Sequence, residues 1–537
     1  MNRLRWLAIS VLFSVVARGQ TTASRPTVAA ATYEISGIAV DAVRNQPLAH
    51  ADIQILSAQG GDPLQRMVTA SDGRFRFVGL PAEKYQLIGE AHGYLRQGLD
   101  QHEGYFTGVV TGPGQVSTGI LLRLPPEASI SGRVADTFGD PVPDADVTLF
   151  HRGLINGSVT TSYYADTRAN DLGEYRFGKL IPGTYFVAVT AKPWYAMHFP
   201  RVGGSSRGDE LNVAYPTTFY DNIAQPEAAL PIALRAGDEA ITNFTLSAER
   251  ATRIVLHTAD ASVGVVQTLL GGYENAMNGQ FEERRIDEHT TEIAGLPAGQ
   301  FRVDVTPYGE RNEGARSLNF DMRGDVVVDA GDVSQAPAIR VLRGTVKDET
   351  VAGNLTVTLR ERSSGDGYSA GVQPDGTFFL SNLPAGLYDV ATFGSDAYVS
   401  RISATGAEMD GQSVEIADAG DVRLTLELKH DPAEIPGTVL DGDKPVAGTM
   451  VLLISDQFPR DTGLMRRDQS DSDGTFTLRG VVPGRYTIMA IKGGWDLEWL
   501  NPEVIKPYLA EAQHIEVLPK GKREVKVKMQ GVEKVPE

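Results

Sequence analysis

Along most of this chain apolar residues recur at every second position in short runs. Phe75 and Phe77, Tyr175 and Phe177, and Phe476 and Leu478 each alternate with Arg or Thr. That is the period of a β-strand with one buried face. Each run follows a turn signal: Asp72-Gly73, Leu172-Gly173 or Asp473-Gly474, with Asp375-Gly376 as a further copy. Glycine accepts a positive φ there, and an aspartate can accept from the backbone just after itself. A second turn ending in Tyr comes next, as in Pro182-Gly183-Thr184-Tyr185 and Pro483-Gly484-Arg485-Tyr486. It leads into another alternating strand: Tyr85-Gln86-Leu87, Tyr185 to Val189, Tyr388-Asp389-Val390 and Tyr486-Thr487-Ile488. The pattern predicts a hairpin whose Tyr has its ring in the core and its hydroxyl on a backbone group. A degraded copy at Glu288-His289 ends on Phe301, which lacks that hydroxyl.

The phrase occurs five times, at intervals of about ninety to a hundred residues, which is the mark of tandem small domains. Openings match too: Ile35-Ser36-Gly37, Ile130-Ser131-Gly132, Leu342-Arg343-Gly344 and Ile435-Pro436-Gly437. Closings carry Ala236-Gly237-Asp238, Ala330-Gly331-Asp332 and Ala419-Gly420-Asp421, then a last alternating strand. Short strands separated by frequent turn signals predict an all-β chain, a tandem array of about five antiparallel β-sandwich domains. The expected division is a signal peptide at 1–19, a linker at 20–32, sandwiches at 33–125, 126–250, 251–342, 343–431 and 432–531, and a tail at 532–537. The second sandwich has a long insertion and the third is degenerate. Pro125-Pro126 and Pro432 favour extended junctions, so the domains are expected to be independent beads.

The second repeat reads Ile-Ser-Gly-Arg-Val-x-Asp, then Pro-Val-Pro-x-Ala-x-Val, then Gly-Glu-Tyr-Arg-Phe and Pro-Gly-Thr-Tyr. It resembles the carboxypeptidase regulatory-like domain, and the first repeat is similar to it as well. The resemblance implies a transthyretin-like or immunoglobulin-like sandwich, of a kind that accompanies peptidases, surface receptors and binding proteins of bacterial envelopes. It also connects the chain with carbohydrate-binding-like folds. The motif residues are turn-formers and core aromatics, so they specify fold and no chemistry.

Arg3 and Arg5 precede an apolar run from Trp6 to Ala17, and Ala17-Arg18-Gly19 places small residues at a cleavage site after Gly19. This reads as a secretory signal, shorter than a membrane anchor. The mature chain is expected to have no transmembrane span, to be monomeric, and to be secreted, periplasmic or envelope-associated. There is no Cys, hence no disulfide, and each domain must rely on its own core. The formal charge of −18 becomes −21 once Arg3, Arg5 and Arg18 are removed. Cations are interspersed, and Lys520, Lys522, Arg523, Lys526 and Lys528 alternate along the last strand as its solvent face. No nucleic-acid partner is expected.

Catalysis is not expected, nor a cofactor or a metal. His289-Thr290-Thr291-Glu292 spells half of a zinc-carboxypeptidase motif, and His430 follows 138 residues after Glu292. Alignment with the other repeats puts His289 in a turn and Glu292 where Arg76 and Arg176 stand, so Glu292 is expected to face solvent. No nucleophile elbow or phosphate loop occurs. Asp471-Ser472-Asp473-Gly474 lacks the later ligands of a calcium loop and reads as a turn.

Two aromatic clusters remain as candidate ligand sites. One holds Trp194, Tyr195, Tyr215 and Tyr220, in the excursion beyond the second repeat. The other holds Trp495, Trp499 and Tyr508 at the equivalent place in the fifth. Flat aromatic rings stack on sugar C–H faces, and Asp496, Glu498, Asn501, Asp221 and Asn222 are at hand for hydroxyls. The competing expectation, for residues that are mostly buried, is that they cap their own core or pack on a neighbouring domain. The functional reading is a binding or adhesion protein of the cell envelope, with a glycan or an envelope protein as partner. Its alternatives are a spacer or scaffold without a ligand, and an accessory to a peptidase or receptor system.

Overall fold

The computed structural model describes residues 32–198, 211–258, 261–267, 281–307, 316–329, 331, 333, 341–347, 355–362, 367–381, 383, 385–394, 397–417 and 421–531. The signal peptide and the tail lie outside them. The regular secondary structure of the described chain is almost all strand. Five main cores succeed one another, each drawn from a single stretch: 35–124, 128–246, 254–333, 342–426 and 433–527.

The first domain shows the plan. Its opening strand Tyr33–Asp41 pairs antiparallel with the Asp-Gly strand Arg74–Leu80 and parallel with the closing strand Ile120–Leu124. The facing sheet joins Asp52–Ser57 to Gln65–Val68 and Lys84–Glu90. The sandwich is thus antiparallel but for one parallel pair. The same parallel pair, first strand beside last, recurs in the other four domains. No tight turn can join parallel neighbours, so here the rest of the domain forms the crossover.

The hairpin phrase folds as its residues dictate. Asp72, Asp375 and Asp473 each accept the backbone N–H two residues on, at 3.0–3.1 Å. Gly73, Gly173, Gly376 and Gly474 have φ between 67° and 81°. The Tyr hydroxyls of three domains donate to the carbonyl four residues back: Tyr85 to Pro81, Tyr185 to Ile181 and Tyr486 to Val482. All three rings are buried, as is Phe301 in the third domain.

The repeated Gly of the opening strand has a packing reason. It stands opposite the first aromatic of the Asp-Gly strand: Gly37 with Phe75, Gly132 with Tyr175, Gly344 with Phe378 and Gly437 with Phe476. A Cβ on Gly344 or Gly437 would overlap the facing ring, and one on Gly37 or Gly132 would overlap a backbone carbonyl of the closing segment. In the third domain the equivalent pair is Leu256 and Thr291, both buried, with the large and small members exchanged across the ladder. The volume is kept and the motif is lost.

One expectation in that domain fails. Glu292 does not face solvent; it is 4% exposed and lies between Arg253 at 3.3 Å and Arg284 at 3.0 Å. Glu34 and Arg76 form the equivalent pair in the first domain, with the charges reversed and more exposure. Burial came with the joint to the second domain, where Arg284 also donates to the His198 carbonyl.

The domains are not separate beads either. The second and third also meet through Lys192 with Glu282, and through Thr217, which donates to Gln267 at 2.7 Å. Tyr398, Leu464 and Val482 form a small apolar cluster between the fourth and fifth. The fifth domain also packs on the first and second. Proline-set junctions fix the local path of the chain, while the buried surfaces beyond them decide how the domains meet.

Candidate functional site

Strands Met450–Ser455 and Gly484–Ile491 of the fifth domain are buried on both faces for nearly their whole length. One face packs in the sandwich core. The other presents Met450, Leu452, Ile454, Met489 and Ile491, and the excursion folds over it, seating Trp495, Trp499, Ile505 and Tyr508. Its helix Pro502–Leu509 begins with Pro at the first turn and Asn501 as N-cap, whose side chain accepts from Glu503 N–H at 3.1 Å. Trp495, Trp499 and Tyr508 are 8%, 3% and 6% exposed. The expectation of an open sugar-stacking face at these residues is corrected: they cover a second apolar surface of their own sheet, and no ring face is left to solvent.

The second domain solves the same problem with its insertion. Strand Gly183–Thr190 is apolar on both faces, and Phe219 closes a small cluster with Phe150, Phe186 and Ala188 on its outer side. Tyr215 is buried in the main core and Tyr220 packs half-buried against it. Trp194 is the exception at 81% exposed, its ring perpendicular to that of Tyr195 at 5.6 Å. Of the seven candidates, then, Trp194 is exposed, Tyr195 and Tyr220 are half-buried and four are buried. Continuous apolar strands in the second and fifth repeats, absent from Lys84–Glu90 and Gly386–Phe393, are the sequence signal that marks the two covered sheets.

Around the fifth domain's excursion the chain builds a polar and aromatic junction that sequence reading missed. Arg467 lies over the rings of Tyr105, Trp495 and Trp499 at 5.1–5.6 Å. Its guanidinium is held by Glu103 at 3.0 and 3.4 Å and by Asn156 at 2.9 Å. Asn156-Gly157 is the tip of a long hairpin in the second domain, and Trp499 covers Gly157 while Leu500 N–H donates to its carbonyl. Gln469 reaches Thr107 and the Asp100 carbonyl, and the His102 ring is stacked on Trp495 at 5.5 Å. Asp471, from the string read as a turn, accepts from Gly108 N–H at 3.0 Å and pairs with Lys84 at 2.5 Å. Burial pushes this carboxyl up to about 6, against the pull of Lys84. At the joint with the fourth domain Asp461 is also raised to about 6, by burial and then by the nearby Asp389. Asp389 is itself held by Arg362 at 2.7 Å and by Thr462 at 2.9 Å.

His289 is exposed in its turn, Glu292 is engaged by two guanidinium groups, and His430 belongs to the end of the fourth domain. Among the described residues no three His, Asp or Glu side chains gather as a metal site, and no helix is long and apolar enough to cross a membrane.

The carboxypeptidase regulatory-like domain matches residues 34–118 and 129–202. No curated protein sequence matches the chain. Among solved structures, the TIE protein of Bacillus anthracis aligns at 10% identity over 93% of this chain and 74% of its own, with a TM-score of 0.16. A streptococcal ancillary pilin aligns at 13% identity, covering 52% of this chain and 99% of its own, with a TM-score of 0.18. Two B repeat units of the collagen-binding protein of Staphylococcus aureus align at 12% identity over 74% and 100%, with a TM-score of 0.13. Scores this low carry no functional argument. The chain is thus a tandem β-sandwich protein whose first two domains match the carboxypeptidase regulatory-like domain, with three further sandwiches built on the same parallel first-and-last pair.

Proposed function

We propose that this is a non-catalytic binding protein of the cell envelope, exported by its N-terminal signal, which takes a glycan on Trp194 and Tyr195. The observation that supports this reading is the contrast among the tryptophans. Trp495 and Trp499 are buried against their own sheet, whereas Trp194 leaves 81% of its surface in water beside an orthogonal tyrosine. An exposed indole offers a flat apolar face, and the C–H face of a sugar matches its shape and polarity. The mature chain acts as a monomer without metal or cofactor.

A glycan array with the full mature chain tests the reading. Wild type is expected to retain a neutral or acidic glycan class, and Trp194→Ala to lose it with unchanged melting. A Trp194→Ala variant that binds every glycan as wild type does would refute the platform. The burial of the fifth domain's aromatics favours the second reading, a scaffold held in one arrangement by its junctions, and an array without any signal would leave that one standing.

A further inference from the structure

A cleft of about 1070 Å³ opens between the fourth domain and the junction just described. Its floor is the outer face of the sheet formed by Thr356–Glu361, Gly367–Gly371 and Gly386–Phe393. Strand alternation sends Val357 and Leu359 into the core and turns Thr356, Thr358 and Arg360 outward. Ser369 stands opposite Thr358, their hydroxyls 2.7 Å apart, and Phe393 stands opposite Thr356. The floor is therefore flat and hydroxyl-bearing, with an aromatic ring at one end, 58% exposed, and a guanidinium at the other.

The facing wall belongs to the fifth domain and is cationic: Arg466, Arg467 and Arg479. With Arg360 these make four arginines, of which Arg467 is already paired with Glu103, against the carboxylates of Asp389 and Asp468. Asp389 is neutralised by Arg362, and both oxygens of Asp468 accept backbone N–H groups. Arg466 is half-buried and donates to the carbonyls of Gly463, Met465 and Gly480, with no carboxylate at ion-pair distance among the described residues. Arg360 likewise has no ion pair among the described residues, and Arg479 has one at 3.9 Å to Glu434. Arg360 and Arg479 are therefore the guanidinium groups of this cleft left for an anion.

We propose that this cleft binds a short acidic glycan, a uronate-bearing oligosaccharide. Its carboxylates pair with Arg360 and Arg479 across the cleft, one sugar ring lies on Phe393, and hydroxyls meet Thr356, Thr358 and Ser369. Planar guanidinium groups match carboxylates two hydrogen bonds at a time. The aromatic end and the hydroxyl floor favour a sugar chain over an acidic peptide. The site is separate from the Trp194 platform and stands or falls apart from it.

Calorimetric titration of the full chain with trigalacturonate, maltotriose and hexaglutamate tests this. Trigalacturonate is expected to bind, more weakly as salt rises, and maltotriose not to bind. Arg360→Gln and Arg479→Gln should each weaken trigalacturonate about tenfold or more, the loss of one charge-assisted contact. Phe393→Ala should weaken it severalfold. All three are expected to melt as wild type does, and Trp194→Ala to bind as wild type does. The proposal is overturned by an absence of trigalacturonate binding, or by binding indifferent to both arginines. It is equally overturned if hexaglutamate binds as well and Phe393→Ala changes nothing, which would assign the cleft to acidic peptides.

Discussion

The repeated glycine of the opening strand sets how closely the hairpin packs in four of the five domains. Without a Cβ it lets the closing segment and the facing aromatic come close, and the third domain shows the same space filled by Leu256 and Thr291 instead. Gly132→Ala would drive a methyl into the Thr242 carbonyl, next to the Tyr175 hydroxyl that donates to it at 2.6 Å. Backbone cannot yield as a side-chain tip can, so a loss of about 1–3 kcal/mol is expected. Denaturant unfolding of residues 126–250, or of the full chain followed by a probe in that domain, measures it. An unfolding curve identical to wild type would show that the strand pair can open far enough to admit the methyl at no cost.

At the scale of the element, the excursions exist because certain strands are apolar on both faces. Trp499 serves two surfaces, its own sheet and the hairpin tip at Gly157. Trp499→Ala is expected to cost about 3–5 kcal/mol and to loosen the fifth domain from the second. Thermal melting reads the first effect, and an increase in the radius of gyration by small-angle scattering reads the second. A variant that loses stability and keeps its dimensions would show that Arg467 with Glu103 and Asn156 suffices to hold the junction. The apolar strand runs were plain in the sequence at Met450–Ser455 and Tyr185–Thr190, yet read alone they are compatible with a single buried face. What they lacked was a partner surface, and that is a tertiary fact.

For the whole molecule, the junctions bury carboxyl groups, and this makes their strength depend on pH. Asp461 and Asp471 hold their protons up to about 6, above the ordinary aspartate value of 3.8. At pH 7.5 both are ionised, and the desolvated charge opposes the closed joint. As pH falls through about 6 that opposition fades, and below 3.8 it is gone. From these two groups the junctions are therefore tighter at pH 5 than at pH 7.5. Asp461→Asn keeps an oxygen for the Gly463 N–H, which Asp461 accepts at 2.9 Å, and removes the charge beside Asp389. It is expected to stabilise the protein at pH 7.5 by on the order of 1–3 kcal/mol and to bring no gain at pH 4. Melting curves across that range check the sign; a gain that grows toward acid would contradict it.

The sequence by itself determined the all-β class, the five repeats, the hairpin with its Asp-Gly turn and tyrosine corner, and the likeness of the first two repeats to a known domain family. Those properties are local: turn chemistry, period-two alternation and the spacing of a motif act within a few residues of one another. Tertiary structure alone decided that Trp495, Trp499 and Tyr508 are covered while Trp194 is open, that Glu292 is buried between two arginines, and that the fifth domain reaches back to the first and second. An aromatic or a carboxylate reads the same in sequence whether its neighbour is water or a sheet arriving from 360 residues away, as at Gly108 and Asp471. Its neighbours, and hence its role, depend on where surfaces without any shared local pattern come to rest.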